Sequence, residues 1–251
     1  MSTKKIDIRS LKKNELIKFL NDFNYEPYRA QQILGRVNSQ QIDSFEKITN
    51  IPKDLIQLLD ENFFLSNTLI HQFQKSSDLT IKFSIKLHDN LIIEAVLIPT
   101  EKRITACVSS QVGCSLDCNF CATSRLKRIR NLESYEIYDQ IMLLNNESLK
   151  SFSKPISNIV FMGMGEPLLN YNNVIDSIDL ITGNQGLGIS KKKITLSTSG
   201  IYKMIKKMAD DNVKFNLAIS LHSAIEETRN QIMPFSKSFP LEKLIDSLEY
   251  W

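Results

Sequence analysis

Apolar residues in the first sixty positions recur at helical spacing. The segment LKKNELIKFL (11–20) places its apolar side chains on roughly one face of a helix. A second helix is predicted over YRAQQILGRV (28–37). A third is predicted after Pro52, because proline suits the first helical turn, and this helix brings Leu55 and Leu59 together. The start of the chain is therefore predicted to be a small, mainly helical unit.

After residue 78 the apolar period changes from that of a helix to that of a strand. In LTIKFSIKL (79–87), Leu79, Ile81 and Phe83 begin a series of alternate apolar positions, and the residues between them are polar. Strict alternation predicts a strand with one buried face. We expect this strand to pair with residues 91–98 across the turn HDN.

From residue 104 onward, short apolar strands alternate with helical stretches. Ile137, Ile141 and Leu144 show helical spacing, as do apolar positions within 174–181. Strand–helix alternation predicts the α/β class with a parallel sheet, open or closed into a barrel. In such folds the carboxyl ends of the strands carry the chemistry, and each predicted strand here ends in small or polar residues. The predicted strands are ITACVSS (104–110), ISNIVFMGMGE (156–166), KITLSTSG (193–200) and FNLAISLH (215–222).

Composition places the chain among globular proteins of one or two domains. It has 251 residues, of which 42% are hydrophobic and 24% are charged. The start MSTKKIDIRS lacks the apolar segment of a secretory signal. The longest apolar stretch, residues 91–99, is too short to span a bilayer and contains Glu94. We therefore expect a cytoplasmic protein without membrane association, in which thiols stay reduced.

The net charge of +3 does not identify a partner, but the basic residues are unevenly distributed. Residues 1–40 contain eight Lys and Arg against four Asp and Glu. A second basic cluster is formed by Arg125, Lys127, Arg128 and Arg130. Such clusters suit a polyanion, although a solvated lysine-rich surface would give the same pattern.

All four cysteines lie within residues 107–121, with the spacing C-x6-C-x3-C-x2-C. In a reducing compartment, clustered cysteines more often bind metal or act in catalysis than form disulfides. The thiolates of Cys114, Cys118 and Cys121 can hold three irons of a [4Fe–4S] cluster and leave the fourth iron open, whereas most electron-transfer clusters use four thiolates. A structural zinc site and three unrelated buried cysteines are the alternatives.

Four longer motifs resemble the adenine-C2 RNA methyltransferases of the radical S-adenosylmethionine (SAM) class, of RlmN type. They are CVSSQVGCSLDCNFCATS, FMGMGEPLLNYNNVI, GLGISKKKITLSTSG and LAISLHSAIEETRNQIMP. The resemblance covers about residues 94–250 and, more loosely, the helical start. It implies a partial (β/α) radical SAM barrel of about four β/α units, residues 94–251. It also implies a helical, RNA-binding accessory domain that includes the start of the β-hairpin, residues 1–93.

The resemblance assigns roles to residues around the cysteines. Cys114, Cys118 and Cys121 match the ligands of a [4Fe–4S] cluster whose open iron is chelated by SAM, and Phe120 matches an aromatic residue that shields the cluster. Gly165, Glu166, Ser197, Ser220, Leu221 and His222 match SAM contacts. Strand-end capping is the alternative for the two serines, and a purely structural role is the alternative for the histidine.

Cys107 and Glu94 match catalytic residues of the same family. The resemblance implies that a cysteine nearer the C-terminus receives a methyl group from one SAM, and that a radical made from a second SAM activates this methyl group for addition to adenine C2. Cys107 would then release the product through a transient disulfide, and Glu94 would accept a proton. A buried core thiol is the alternative for Cys107, and a solvent-facing charge on a strand is the alternative for Glu94.

Two departures from the family pattern bear on this function. Ser124 and Lys127 stand where glycines are expected, so the loop beside the cluster is predicted to be altered. The family continues beyond the equivalent of LEYW and supplies the methyl-carrying cysteine there, whereas no cysteine follows Cys121. We therefore expect that residues 1–251 alone do not complete a methylation.

The resemblance also suggests partners. These are 23S rRNA, a tRNA modified beside its anticodon, and a flavodoxin-type electron donor; we expect a monomer. An adenine-C8 methyltransferase of the antibiotic-resistance type, and an inactive fragment that only binds the cluster or RNA, remain the alternative functions.

Overall fold

Three helices and one apolar core form the start of the molecule, as predicted. The computed structural model describes residues 5–39, 42–183 and 186–251. Leu16, Leu20 and Leu55 are fully buried where the three helices meet. Two short parallel strands bring the start and the end of this helical unit together. The elements are β1 (Ile6–Asp7), α1 (Lys13–Asp22), α2 (Tyr28–Ser39), α3 (Lys53–Asn62) and β2 (Phe63–Phe64).

A seven-stranded sheet forms the rest of the scaffold, in the order β11-β10-β9-β6-β5-β4-β3. The four strands β6, β9, β10 and β11 are parallel, and β3 to β6 pair in antiparallel fashion. The bounds are β3 (Leu69–Lys75), β4 (Ile81–Lys86), β5 (Ile92–Pro99), β6 (Ile104–Cys107), β9 (Asn158–Phe161), β10 (Ile194–Thr198) and β11 (Asn216–Ile219); a separate short antiparallel pair is β7 (Gln111–Val112) and β8 (Arg130–Asn131).

Helices follow each parallel strand and cover one face of the sheet. Ala95, Ala106 and Ile159 are examples of the alternate strand positions that are buried on this face, and they pack with apolar side chains of the covering helices in one core. The predicted series of four β/α units is therefore confirmed. The helices are α4 (Ser134–Phe152), α5 (Tyr171–Thr182), α6 (Tyr202–Asp210), α7 (Glu226–Ile232) and α8 (Leu241–Tyr250).

The hairpin predicted from alternation is confirmed as β4 and β5, but its first residue was assigned wrongly. Leu79 is 50% exposed and has φ of 70°, so it lies in the turn before β4 and not on the buried face. Strand β3 was not predicted, because its side chains are mostly exposed and show no apolar alternation.

A buried ion cluster joins the helical unit to the sheet domain. Nη1 of Arg9 donates to both carboxylate oxygens of Asp139 in α4, at 2.9 and 3.0 Å. The same guanidinium donates to Asp7 at 3.0 Å and stacks over the ring of Tyr135 at 4.6 Å. The arginine and both carboxylates are at least nine-tenths buried, so this contact fixes how the two parts pack.

The boundary predicted between residues 93 and 94 lies within β5. We propose instead that the helical unit ends with β2 and that the sheet domain begins at β3. Within the described ranges, no helix is both long and apolar enough to cross a bilayer.

Candidate active site

A cavity of about 270 Å³ lies where the four parallel strands end. The loops after β6, β9, β10 and β11 all contribute to it. Because the carboxyl ends of parallel strands meet at one edge of the sheet, side chains far apart in sequence converge here. Eight of the predicted site residues line this cavity: Cys114, Cys118, Cys121, Gly165, Glu166, Ser197, Ser220 and His222.

Three predicted residues are not among the residues that line the cavity: Glu94, Cys107 and Leu221. Leu221 is 41% exposed, and its backbone N–H donates to the carbonyl of Ile219 at 2.9 Å. The structure therefore places the side chain of Leu221 outside this pocket, between two residues that line it.

The cysteine loop is ordered by its own backbone and by Ser124. The N–H of Cys121 donates to the carbonyl of Cys118 at 3.1 Å. The hydroxyl of Ser124 lies 2.7 Å from that carbonyl and 2.6 Å from the carbonyl of Cys121. The N–H of Leu116 donates to Sγ of Cys114 at 3.4 Å. All four cysteines of the chain are free thiols.

The two residues that replace family glycines do not strain this loop. Neither Ser124 nor Lys127 has a positive φ, so neither position requires glycine. The Ser124 hydroxyl lies within hydrogen-bond distance of two carbonyls of the loop, and its single proton can be donated to either of them.

Two thiols of the cysteine loop, those of Cys114 and Cys118, have raised pKa values. Burial raises the pKa of Cys118 to about 12, and negative charge on Cys114, Cys121, Asp117 and Glu166 acts in the same direction. Burial also raises the pKa of Cys114. Without a cation these thiols are protonated at neutral pH, and binding of a cationic metal centre would release the protons.

The three cysteines fit a multinuclear cluster better than a single metal ion. Among the described residues, no group of three His, Cys, Asp or Glu side chains converges closely enough to hold one ion. A zinc site needs such convergence at about 2.3 Å from each sulfur. In a cubane cluster the three thiolates bind three different irons, so they can line one cavity without converging on a point. This is the arrangement of Cys114, Cys118 and Cys121.

Glu166 ties two strand ends together at the floor of the cavity. Its carboxylate accepts the N–H of Leu168 at 3.1 Å and the N–H of Ser199 at 2.8 Å. Burial raises the pKa of this carboxyl group. The hydroxyls of Thr198 and Ser199 also hydrogen-bond to this carboxyl group, so a ligand at this position would have to replace one of these hydroxyls.

Gly165 allows a close approach that any side chain would block. Its φ is 95°, and a Cβ at this position would lie 2.5 Å from Cβ of Gln111. Gln111 is fully buried, and its Oε1 accepts the N–H of Glu166 at 2.9 Å. Gln111 was not predicted as a site residue, because a single glutamine after a strand gives no sequence signal.

Serine and histidine side chains form the opposite wall. The hydroxyl oxygens of Ser197 and Ser220 are 3.3 Å apart. His222 has φ of 58°, in the left-handed region that a non-glycine residue adopts mainly at turns and functional sites. Its ring lies 4.1 Å from the ring of Phe120, measured between centroids. Phe120 thus closes the cavity from the side of the cysteine loop.

Glu94 and Cys107 lie on the uncovered face of the sheet. Val96 is opposite Cys107 in the β5–β6 pair, so Glu94, two residues from Val96, projects on the same face as Cys107. The register across β9 and β10 places Ser197 on this face too. The three predicted residues therefore share the face of the sheet that leads to the cavity.

The side chains of Glu94 and Cys107 differ in exposure, because Cys107 is buried and Glu94 is about half exposed. Burial raises the pKa of Cys107 to about 11. The carboxylate of Glu94 is 47% exposed and pairs with Lys82, with 2.6 Å between Oε1 and Nζ. Glu94 is accordingly a solvent-facing, paired carboxylate in this structure.

One residue of the second basic cluster, Arg130, is paired with carboxylates of the fold. Arg130 donates to Glu136 at 2.6 and 2.8 Å and to Asp89 at 2.7 Å, so its charge is compensated within the fold. Arg125, Lys127 and Arg128 are exposed. Of the early basic residues, Lys4 lies outside the described residues.

Two family models match the chain. One, described as the radical SAM superfamily, matches residues 108–250. The other, described as the ribosomal RNA large subunit methyltransferase N-terminal domain, matches residues 6–65. The second match coincides with the helical unit and the first with the region that carries the cavity.

Curated relatives and one solved structure agree with these matches. Two proteins named "Probable dual-specificity RNA methyltransferase RlmN", from Flavobacterium psychrophilum and Flavobacterium johnsoniae, are each 59% identical to all of this chain, which spans 72% of each of them. The protein of that name from Streptococcus mutans is 40% identical over 98% of this chain and 69% of its own length. The crystal structure of a radical SAM methyltransferase from Sphaerobacter thermophilus superimposes with a TM-score of 0.84 at 30% identity, over 96% of this chain and 71% of that one.

Proposed function

Because this chain belongs to the RlmN-type RNA methyltransferases of the radical SAM superfamily, we propose that it supplies the cluster-binding and SAM-binding part of an enzyme that methylates C2 of one adenosine in 23S rRNA and of one adenosine beside a tRNA anticodon; residues 1–251 alone are not expected to complete the methylation, since no cysteine follows Cys121. The match of the helical unit to an N-terminal domain of large-subunit rRNA methyltransferases supports the first substrate. The name "dual-specificity" of the relatives supports a second one. The observation that carries the proposal is the convergence of three cysteines and four strand ends on one cavity.

Cys114, Cys118 and Cys121 would hold the [4Fe–4S] cluster that radical SAM enzymes use. When bound, the cluster supplies the electron with which SAM is cleaved to start radical chemistry. Gly165 lets the turn at the cavity wall pack against Gln111, since it has no side chain and a positive φ, and this packing would position the turn against SAM. Glu166, Ser197, Ser220 and His222 offer hydrogen bonds to the polar groups of SAM.

Cys107 and Glu94 would act on the RNA base rather than on SAM. Both project on the uncovered face beside the cavity, where a base extruded from the RNA would have to lie. The high pKa of Cys107 keeps its thiol protonated at neutral pH, so its use as a nucleophile needs a base. Glu94, which projects on the same face as Cys107, is the predicted candidate, and release of its Lys82 partner would free it for proton transfer.

Exposed basic residues would contact the RNA phosphates. Arg125, Lys127 and Arg128 lie on the segment that follows the cysteine loop, at the same end of the sheet as the cavity. Neutralised phosphates release counterions, so binding to an rRNA fragment or tRNA should weaken steeply with salt. Replacing these three residues with Ala should flatten the slope. Replacing the exposed Lys102 and Arg103, at the opposite ends of the strands, should leave it unchanged.

The cluster proposal is tested by reconstitution under anaerobic conditions. About four irons per chain are expected, together with a change in the EPR signal of the reduced protein when SAM is added. Cys118→Ala should abolish both, because two remaining thiolates do not fix the cluster. Cys107→Ala should spare both; if that variant lost its iron, Cys107 would be a fourth ligand and the assignment of an open iron would fail.

The methylation proposal is tested by mass spectrometry of rRNA and tRNA after incubation with SAM and a reductant. The protein is used in the form in which the cell makes it. We expect 2-methyladenosine in both RNAs. Formation of 8-methyladenosine would establish the alternative C8 activity. Binding of cluster and RNA without any methylated base would establish the alternative of a binding protein.

The electron donor and the oligomeric state are part of the same proposal. We propose a flavodoxin-type donor and a monomeric enzyme. Replacing the chemical reductant with reduced flavodoxin should support turnover, and sedimentation of the purified protein should give a single species of about the chain mass, 28.8 kDa for these 251 residues.

A further inference from the structure

Arg229 in α7 is a buried arginine whose charge is not compensated. It has no solvent exposure. Its Nη2 donates to the carbonyl of Ser199 at 2.7 Å, whereas Nε and Nη1 have no hydrogen-bond partner among the described residues. A guanidinium stays charged in proteins and is rarely buried unless paired. Burying it with free donors is costly, so this position calls for an explanation.

The nearest carboxylate on the same helix does not compensate the charge. Glu226 attracts Arg229 electrostatically, but its Oε2 accepts the N–H of Leu241 at 2.8 Å. Neither Nε nor Nη1 of Arg229 is hydrogen-bonded to Glu226 or to any other described residue. Burial lowers the pKa of Arg229, which is the direction expected for a cation that has lost water without gaining a partner.

The segment that carries Arg229 forms the support of the cysteine loop. The N–H of Asn119 donates to the carbonyl of Ile232 at 2.9 Å. On the other side of the loop, Oδ1 of Asp117 accepts the N–H of Phe235 at 3.0 Å. Met233, which is fully buried, packs with Cys118 in one apolar cluster. Two hydrogen bonds and one apolar contact therefore join this segment to the cysteine loop.

Arg229 also reaches the second wall of the cavity. Ser199, whose carbonyl accepts from Arg229, donates its N–H to Glu166 at 2.8 Å. A Cβ on Gly200, which has φ of 100°, would lie 3.3 Å from Nη2 of Arg229. The guanidinium is thus held directly behind the turn after β10. A charge on Cys118 also stabilises the protonated form of Arg229.

Arg229 is therefore a fixed positive charge beside the cysteine loop, and the cysteine site becomes negative when a cluster binds to it. Three thiolates outweigh the charge of an oxidised cubane core, and one-electron reduction adds another negative charge. A buried cation favours the reduced state, since charge interactions are strong where water is excluded. The same cation is unfavourable when the cluster is absent, because nothing then compensates it.

We propose that Arg229 is the fixed counter-charge of the iron–sulfur cluster and raises its reduction potential. The inference rests on the proposed function, because it requires that Cys114, Cys118 and Cys121 hold a cluster. Arg229 is a positioning residue in this role: it acts on the cluster through the field of its charge and through the Ser199 turn.

The test compares Arg229→Met, Arg229→Lys and wild type after reconstitution. The readout is the fraction of reduced cluster in an EPR-monitored redox titration without SAM. In Arg229→Met the ratio of reduced to oxidised cluster at a given potential should fall about tenfold, which corresponds to a midpoint about 59 mV lower for one electron. Arg229→Lys should restore much of the difference, because it keeps the charge. The exposed Arg103→Met variant, which removes a charge far from the cavity, should match wild type.

An unchanged potential in Arg229→Met with full iron content would overturn the inference. The apoproteins give a second, independent readout by urea unfolding. Removal of an uncompensated buried charge should leave apo Arg229→Met at least as stable as wild type. A clear loss of apoprotein stability would instead make Arg229 a structural tie to Ser199 and would also overturn the inference. Failure of the wild-type chain to bind iron would contradict the proposed function itself, whereas a bound cluster that does not respond to Arg229 contradicts this inference alone.

Discussion

Replacing Arg9 with Met should destabilise the whole molecule, because Arg9 holds two buried carboxylates. Asp7 and Asp139 are 2% and 5% exposed, and both accept from the same guanidinium. Removing one partner of a buried ion pair leaves an uncompensated charge and typically costs about 3–5 kcal/mol. For a chain of this size, that loss corresponds to a fall of roughly 10 °C in Tm.

The effect should depend on pH. One guanidinium faces two carboxylates, and burial raises the pKa of Asp139 from 3.8 to about 6. A carboxyl group whose pKa is higher in the folded state contributes most to stability when protonated, and this contribution is lost as pH rises from about 4 to about 6. Without Arg9 the pKa of Asp139 should rise further. The difference in unfolding free energy between wild type and Arg9→Met should therefore widen from pH 6 to pH 8.

Urea unfolding with linear extrapolation at pH 6 and pH 8 measures both effects. Lys47→Met is a matched control, because Lys47 and Asp43 form an exposed ion pair. Such a pair contributes little, so this variant should unfold like wild type at both pH values. A loss below about 1 kcal/mol in Arg9→Met, or a difference that does not change with pH, would refute the reasoning.

Three further changes test the site. Alkylation of Cys107 in the apoprotein should accelerate about tenfold per pH unit up to pH 10, because its pKa is about 11; mass-spectrometric rates that level off below pH 9 would contradict this. Gly165→Ala should weaken SAM binding in equilibrium dialysis, since its Cβ would collide with Gln111. Gly188→Ala is the control, because Gly188 also has a positive φ but has no atom within 4 Å of the added Cβ. Ser124→Ala should cost about 0.5–1.5 kcal/mol through its lost hydrogen bond and should retain less iron; unchanged iron content would show that the Ser124 hydroxyl does not order the cysteine loop.

The sequence alone predicts those elements that are encoded by the pattern of nearby residues. The β4–β5 hairpin follows from strict alternation, and the parallel strands follow from apolar runs separated by helical stretches. Convergence of the cysteine loop with Gly165 and Ser197 follows from the rule that carboxyl ends of parallel strands meet at one edge. Spacing also identified three cysteines as a group. The helical and strand periods and the cysteine spacing depend on neighbours within a few residues, so the local sequence predicts them, whereas the convergence follows from the parallel order of the strands.

Only the tertiary structure shows which charged side chains pair when they are far apart in the sequence. Arg9 and Asp139 are separated by 130 residues, and Arg130, which the sequence places in a basic cluster, is paired with Glu136 and Asp89. The resemblance to the family predicts a role for Glu94, but only the sheet register places it on the face that it shares with Cys107. A buried, unpaired guanidinium at Arg229 has no sequence signature at all. The physical reason is that periodicity reports which face of an element is apolar, whereas the partner of a charged side chain is set by which elements pack together.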